Sequence, residues 1–419
     1  METVVYWLEN NLITFAQRLG LVIVVVAQAM LFWDLFIAGM GLIKRWRDRK
    51  RESGCCVEEG EFLRFAVVVP AHNEASVIGY LLESLSLQEY PKDKFNVYVA
   101  ADRCSDETVQ IAQRWGANVI ERWQGPSGKG ANLAHAFEAI PLAEYDAVII
   151  VDADNLVDVK YLKNLNHYMN RHPSAKVVQT YLDVKNPRDG WIPRAAAISY
   201  WVTNSLWQDA RDALSLSPTL GGTGMVIKTN FLLDRGWRAQ SLTEDLELHA
   251  ELVASGERVY WCHTARVYDE KPTNPLVSYK QRVRWYQGHF WVAAHYASSV
   301  LKRVFERSSG FSRLVAFDTF LYLLAPWRNL LLTFLAACIT VWNPYVILLF
   351  FGLAGIAALV ASIARWGKPK LEWIIWSWSL IPYSFLWLPV AINALIKFKN
   401  QKVWIKTPHN ARVDIKDIR

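Results

Sequence analysis

The run "GLVIVVVAQAMLFWDLFIAGMGLI" (20–43), in which Asp34 is the one charged residue, constrains this chain more than any other feature. Inside a bilayer the backbone amides must be satisfied within the segment, and about 20 apolar residues in a helix are enough to cross. The basic stretch "KRWRDRKRE" (44–52) follows at once. Cations concentrate on the cytosolic flank of a span, so this side is expected in the cytosol and the N-terminus outside. The polar "ENN" and Gln17–Arg18 before the run are expected to form an interfacial lead-in. A retained anchor is expected rather than a cleaved leader, because the charges follow the apolar run and no small-residue cleavage site is evident.

Composition narrows the classes further. Apolar residues make up 52% of 419 and tryptophans number 20, which suits a bilayer interface or aromatic faces that stack sugar rings. The net charge of +7 is concentrated beside the apolar run. No zinc spacing or recognition-helix signature accompanies it, so a nucleic-acid partner is not expected. The five cysteines (55, 56, 104, 262, 338) form no CxxC pair and no even framework, which fits a reduced cytosolic setting for the soluble part.

Between 63 and 275 the texture is that of a soluble α/β domain. "FAVVVP" (65–70), "NVYVAA" (96–101), "DAVIIVDAD" (146–154) and "AKVVQTYL" (175–182) are apolar and rich in β-branched residues, and helical patterns separate them. Such strands predict a mostly parallel sheet covered on both faces, with ligands at the carboxyl ends of the strands. The organisation expected is an N-terminal transmembrane helix with its basic flank (1–52), the α/β domain (63–275), amphipathic interface helices (276–312), C-terminal transmembrane helices (313–397) and a basic tail (398–419). Apolar density within the membrane region falls at 314–341, 344–365 and 371–397. Three spans there would leave the basic tail outside, against the charge rule. Either one segment is interfacial, or the first breaks at "APWRN".

Five loops offer chemistry. Asn73 and Glu74 end the first strand in "VVVPAHNEAS", where a helix cap is the simpler role. Asp102 ends the second, placed to accept hydrogen bonds from a ribose or a base edge. Lys129 sits in "GPSGKGANLAHAF", a Gly-rich loop that opens a helix and could receive an anion, without the spacing of a P-loop. Asp152 and Asp154 in "VIIVDADN" put two carboxylates on one sheet edge, a suitable start for a hard divalent ion whose shell diphosphate oxygens complete. Glu244 and Asp245 follow Thr243 at a helix start, where they can cap, or an acid there can deprotonate an acceptor hydroxyl. Then comes "YKQRVRWYQGHF" (279–290), in which Gln281, Arg284 and Trp285 share one helical face. Its simplest role is contact with lipid headgroups.

The order of these motifs on one α/β domain flanked by membrane segments resembles the membrane-integrated inverting glycosyltransferases of family 2. That group includes the cellulose, chitin, hyaluronan and poly-N-acetylglucosamine synthases and ceramide glucosyltransferase. The resemblance covers roughly residues 63–290 and implies a GT-A-like fold. It implies that Asp102 holds the nucleoside, that Asp152 serves the nucleotide and that Asp154 serves the Mn²⁺ or Mg²⁺ ion. Asp245 becomes the general base beside Glu244, Arg284 neutralises the leaving diphosphate, and Trp285 is the floor under the acceptor sugar, with Gln281 on the same face. "LGGTGMVIKTNFL" (220–232), with Gly222 and Thr223, fits the acceptor-side loop, where small residues admit a sugar closely. "VWIKTPH" (403–409) is similar to the cytosolic gating segment of the polymer synthases.

The activity so implied is transfer of a hexose or N-acetylhexosamine from a UDP-sugar to a glycan end at the cell membrane, with the catalytic domain cytosolic. Processive synthesis of a β-linked polysaccharide coupled to export is the first expectation, and one sugar added to a lipid acceptor is the second. The modest membrane region favours the second and leaves room for an accessory subunit or a homo-oligomer. A non-catalytic receptor with a decayed domain is the third reading, opposed by the intact Asp154, Asp245 and Trp285. Arg282, on another helix face, is expected to tolerate lysine. The Asp-X-Asp pair predicts that turnover needs Mn²⁺ or Mg²⁺. Sugar transfer assayed in excess chelator is expected to vanish, and full turnover there contradicts the assignment.

Overall fold

The computed structural model describes residues 2–52, 60–307, 309–401, 411 and 413–418. Cys55, Cys56 and the 403–409 segment therefore lie outside the described residues.

An eight-stranded sheet organises the soluble part: β1 (Phe65–Ala71), β2 (Phe95–Asp102), β3 (Asn118–Arg122), β4 (Ala147–Ile150), β5 (Leu156–Val157), β6 (Val177–Val184), β7 (Met225–Lys228) and β8 (Val259–Asp269). Their order is β3-β2-β1-β4-β7-β6-β8-β5. β1 pairs in parallel with β2 and β4, β2 with β3 and β6 with β8, while β7 runs antiparallel to both its neighbours. This is the mostly parallel, GT-A-like α/β fold that the sequence predicts. The reason the strands read as unbroken apolar runs is visible in β1. Phe65, Val67 and Val69 enter one core with Leu81 and Leu165, and Ala66 and Val68 enter the opposite core with Leu133 and Phe137. Both faces are buried, so no polar alternation survives.

The strands at β1, β2, β4 and β6 match the four anticipated runs. β7 does not: "MVIK" is a four-residue strand inside the stretch read as an acceptor loop. β8 carries His263, Thr264 and Arg266 in mid-strand, and its pairing with β6 shifts register between Thr180 and Tyr181, so its pattern is broken.

Around the sheet, four segments are long and apolar enough to cross a membrane: Arg18–Arg45, Ala325–Trp342, Val346–Trp366 and Leu371–Lys397. The first belongs to a continuous helix, Glu2–Glu52, whose second half docks on the short Asp209–Ala213 helix. There Arg45 pairs with Asp209 at 2.6 Å, and Gly41 packs so tightly on Ala210 that any Cβ would collide with backbone. Beside it Asp34 accepts from Arg211 at 2.9 Å and Arg328 at 2.5 Å, while Asp318 accepts from Arg211 at 2.8 Å and the Trp33 indole at 2.9 Å. The 314–341 run breaks into Gly310–Leu323 and Ala325–Trp342, ahead of Pro326 in "APWRN".

The opening motif lies on the long Pro275–Phe305 helix, which starts with Pro275 at its first position and Asn274 as a side-chain cap. Arg282 on this helix lies on another face, as its helical phase predicts, but its surroundings oppose the expected tolerance of lysine. Only 1% of it is exposed. Its guanidinium stacks 3.7 Å over the Tyr383 ring and 5.1 Å from that of Trp387, and it donates to Ser278 Oγ at 3.0 Å. A planar cation between rings cannot be replaced by an ammonium on a thinner stem. Arg282→Lys is expected to cost on the order of 1–3 kcal/mol of stability, read as a lower Tm of the detergent-extracted protein, and an unchanged Tm contradicts this packing role.

Candidate active site

A cleft of about 410 Å³ opens where β1, β2 and β4 end. That is where an open α/β sheet places its ligand. Every site residue anticipated from the sequence lines it except Asn73. Asn73 holds a left-handed conformation (φ 57°) and accepts from the Ser105 amide at 2.7 Å, so it fastens the loop after β1 to the loop after β2. Glu74 is on the wall, and its carbonyl accepts from the amides of Val77 and Ile78 at 3.0 Å, so the capping role is met by backbone. The Asp102 carboxylate is gripped by Arg122 (3.2 and 2.9 Å) and by Arg103 (2.9 Å), and Arg122 also reaches the Pro126 carbonyl at 2.8 Å. This acid therefore holds the loop that precedes Lys129.

Lys129 is the hub. Its ammonium lies 2.5 Å from Asp152, 3.2 Å from Glu244 and 2.6 Å from the Gly222 carbonyl. Burial opposes its charge, but the Asp152 and Glu244 carboxylates outweigh burial and hold the proton on it more firmly than usual. The Gly-rich loop is thus already paired with the protein's own acids. Gly222, at φ 77°, lets the backbone pass beside the Asp245 carboxylate, which would sit 3.5 Å from any Cβ there. Thr223 accepts from the Asp152 amide at 3.1 Å and donates to Asn155 Oδ1 at 2.5 Å, fixing the turn that carries the two aspartates.

Asp154 is buried on the cleft wall, with one oxygen accepting from Asn155 at 3.2 Å. Among the described residues no group of three or more His, Cys, Asp or Glu is set to hold a metal ion. Of the two carboxylates in the Asp-X-Asp turn, Asp152 is bound to Lys129 and Asp154 stands on the wall. That donor set fits a hard divalent ion whose shell is completed by ligand oxygens, and not an all-protein cage.

Asp245 begins the Glu244–Ala254 helix. Burial first, and then the neighbouring Glu244 charge, push its carboxyl up to about 7. Across the cleft, Gln281, Arg284 and Trp285 do share one face and all line the cavity. The Arg284 Nε is buried with no hydrogen-bond partner among the described residues. Burial makes this guanidinium less basic, while Glu244, Asp152 and Asp245 work in the opposite direction.

Sequence reasoning missed two groups. The first is Asp269 and Tyr200 on the wall with Lys271 behind them: Lys271 donates to Asp269 and, at 2.6 Å, to Tyr200, and stands 5.3 Å from the centre of the Trp285 ring. The "YDEKP" stretch (268–272), with acid and base at a strand end, was a usable signal. The second is an aromatic roof of Tyr286, His289, Tyr322 and Trp387. Tyr322 and Trp387 sit in runs that read only as membrane segments. His289, its basicity pushed down to about 4 by burial, donates from Nε2 to the Tyr322 carbonyl at 3.2 Å.

Known proteins are similar to this chain in sequence and fold. The chain is 24% identical over 396 residues to "Probable glycosyltransferase YdaM" of Bacillus subtilis (strain 168), covering 87% of this chain and 89% of that one. It is 22% identical to a "Beta-monoglucosyldiacylglycerol synthase" of Synechocystis sp., over 83% of this chain and 75% of the relative. Among solved structures, mannosyltransferase PcManGT from Pyrobaculum calidifontis, in complex with GDP-Man and Mn²⁺, superposes with a TM-score of 0.56 at 19% identity, covering 90% of this chain and 99% of that one. Residues 63–288 match the family described as "Glycosyltransferase like family 2", more than half of the chain. With the cleft at the strand ends and more than half of the chain matched, this chain belongs to glycosyltransferase family 2.

Proposed function

We propose that the chain is an inverting transferase that moves a hexose or N-acetylhexosamine from a UDP-sugar to an acceptor presented at the membrane surface. The observation that carries this is the pairing across one cleft of Asp245, an acid poised near neutrality, with Arg284, a half-buried arginine whose Nε is buried with no hydrogen-bond partner among the described residues. The Asp245 carboxylate takes the proton of the acceptor hydroxyl. That oxygen forms its bond to the anomeric carbon as the bond to the diphosphate breaks, and UDP leaves with the electron pair from the opposite face. Arg284 receives the charge that develops on the leaving phosphate with a planar donor fork. Trp285, with the Lys271 cation beside its ring, offers a flat surface for the acceptor sugar. Asp154 would hold the divalent ion, which supplies neutralisation of the diphosphate.

For the acceptor, the first reading is a growing glycan end, with processive synthesis and export. The second is a lipid headgroup that receives one sugar. Tyr322 and Trp387 favour the second, since they bring residues of the membrane region to the roof of the cleft. The name of the Synechocystis relative agrees with it. Incubating the purified protein with a panel of UDP- and GDP-sugars, with diacylglycerol or oligosaccharide as acceptor, tests both. Nucleotide release and product length separate a polymer from a single adduct, and turnover of GDP-sugars alone overturns the UDP assignment.

Asp245→Asn keeps the shape and removes the proton acceptor, so kcat is expected to fall by roughly 100-fold or more while nucleotide binding persists. Because the base must be ionised, kcat/KM is expected to drop as the pH falls below about 7. Glu244→Gln removes a like charge and is expected to move that acid limb to lower pH; an unmoved limb refutes the pairing. Arg284→Lys and Trp285→Leu are expected to abolish most transfer while leaving extraction yield and Tm unchanged. Mild loss at both positions favours the lipid-anchor role.

A further inference from the structure

Asp34, the one charged residue of the first apolar run, does not line the catalytic cleft, and the chemistry described above leaves it without a task. An ionisable side chain in a membrane helix is costly to insert and is kept where it has a partner or a function. Its carboxylate stands where its own helix meets Asp209–Ala213, Gly310–Leu323 and Ala325–Trp342. Oδ1 accepts from Arg211 at 2.9 Å and Oδ2 from Arg328 at 2.5 Å. From these two arginines the contacts continue in two directions, and both end on the roof of the cleft.

The first branch runs through Arg328. Its Nη1 donates to Asp34 while its Nε donates to Asn329 Oδ1 at 3.2 Å, and the Asn329 amide nitrogen donates to the Tyr286 hydroxyl at 3.2 Å. One amide thus passes the orientation of the arginine to a ring of the roof. The second branch runs through Arg211, whose side chain is 1% exposed. It donates to Asp318 at 2.8 and 3.0 Å, one turn before Tyr322 on the same helix face. Its guanidinium also lies 3.3 Å over the Trp207 ring, which stands 5.5 Å from the ring of Tyr322. The roof itself is continuous: Trp387 lies 4.7 Å from Tyr286, Tyr286 6.3 Å from His289, and His289 5.2 Å from Tyr322. Tyr286 and Tyr322 are therefore both pinned from one membrane carboxylate. Fastening helices does not by itself require charge, since a buried ion pair replaced by apolar side chains of like volume is often no less stable. What the charged groups add is direction, because a guanidinium and a carboxylate meet in a fixed geometry.

We propose that Asp34 is a positioning residue for sugar transfer: from the membrane helix it fixes Tyr286 and Tyr322, and so fixes where the acceptor rests between the roof and Trp285. A misplacement of about 1 Å at a reacting centre costs on the order of 100-fold in rate, so a roof held loosely is a roof that fails its acceptor. The donor side hangs on other contacts, with Asp102 held by Arg122, Asp152 by Lys129 and Asp154 by Asn155. Loss of the Asp34 charge therefore acts on the acceptor and spares the donor. The acceptor role rests on the transfer reading, whereas the link from Asp34 to the roof does not.

The test compares the full-length protein in lipid nanodiscs with Asp34→Asn, Asp34→Glu and Asn329→Ala. Two reactions are followed: nucleotide release from a UDP-sugar to water, and transfer to an oligosaccharide or to diacylglycerol. Asp34→Asn is expected to lower kcat/KM for the acceptor by about 10- to 100-fold, with the donor KM and release to water within about twofold of the parent. Asp34→Glu restores the charge and is expected to recover much of the loss. Asn329→Ala cuts the Tyr286 branch and leaves every ion pair whole, so it carries the test if Asp34→Asn does not fold, and it is expected to show the same split. Combined with Asp34→Asn, its loss is expected not to multiply, because both cut one chain. Equal loss of both reactions overturns the proposal, as does unchanged transfer in Asp34→Asn or Asn329→Ala. A readout without turnover places fluorotyrosine at 286 and at 322. Both fluorine resonances are expected to shift in Asp34→Asn and to stay in place in Lys368→Ala, and resonances unmoved by Asp34→Asn refute the positioning. Shifted resonances in a protein that transfers no sugar refute the transfer reading and the acceptor role with it, and leave the link from Asp34 to the roof standing.

Discussion

The ammonium of Lys129 is the contact on which the catalytic cleft depends. Asp152, Glu244 and Asp245 converge on one cleft, and any two carboxylates brought to 4 Å repel by about 4 kcal/mol at an effective dielectric of 20. Lys129 cancels much of that repulsion by binding Asp152 and Glu244 at once. In doing so it ties the loop after β4, the Gly222 turn before β7 and the start of the Glu244–Ala254 helix to the Gly-rich loop. Without it the acids would have to separate or take up protons, and the cleft would lose its shape. Asp245 is left outside these close ion pairs, and burial, then the Glu244 charge, push its carboxyl up to about 7.

The remaining wall is not part of the sheet. Arg284 and Trp285 come from the Pro275–Phe305 helix, and that helix is held from behind by Arg282 between Tyr383 and Trp387. The cleft is therefore complete only when the apolar C-terminal region is folded against the domain. Catalytic geometry and membrane architecture share residues, so truncation at the end of the family match removes Trp387 and Tyr322 from the cleft as well as the apolar helices.

Much of this was legible in the residues. Strands buried on both faces announce themselves as apolar runs, and β1, β2, β4 and β6 were found that way. Loops at strand ends follow from the topology, so the sequence places Asp102 and Asp154 at strand ends, and Asp245 only at a helix start. What escaped were properties of pairing. That Lys129 would bind acids instead of an anion, or that Arg282 would be buried between rings, depends on segments more than 20 residues away in the chain. Helical phase alone separates Arg282 from the Gln281, Arg284 and Trp285 face, and says nothing of the rings of Tyr383 and Trp387 that cover it. The strand β7 was too short to show a period, and β8 is interrupted by polar residues where the sheet shifts register.

The buried ion network around Asp34 carries a consequence for the order of assembly. Arg211 is made 177 residues after Asp34, and Arg328 another 117 after that, since 294 residues separate it from Asp34. At roughly 5–20 residues per second, a first helix that has entered the bilayer waits about 10 to 35 s for the nearer arginine. A charged residue at the centre of a helix in hydrocarbon costs about 2.5–3.5 kcal/mol on insertion scales, an amount the surrounding Val, Ile, Leu and Phe residues outweigh. The pairs of Asp34 can thus close only after Arg211 has been made, and the network is complete only once Arg328 follows.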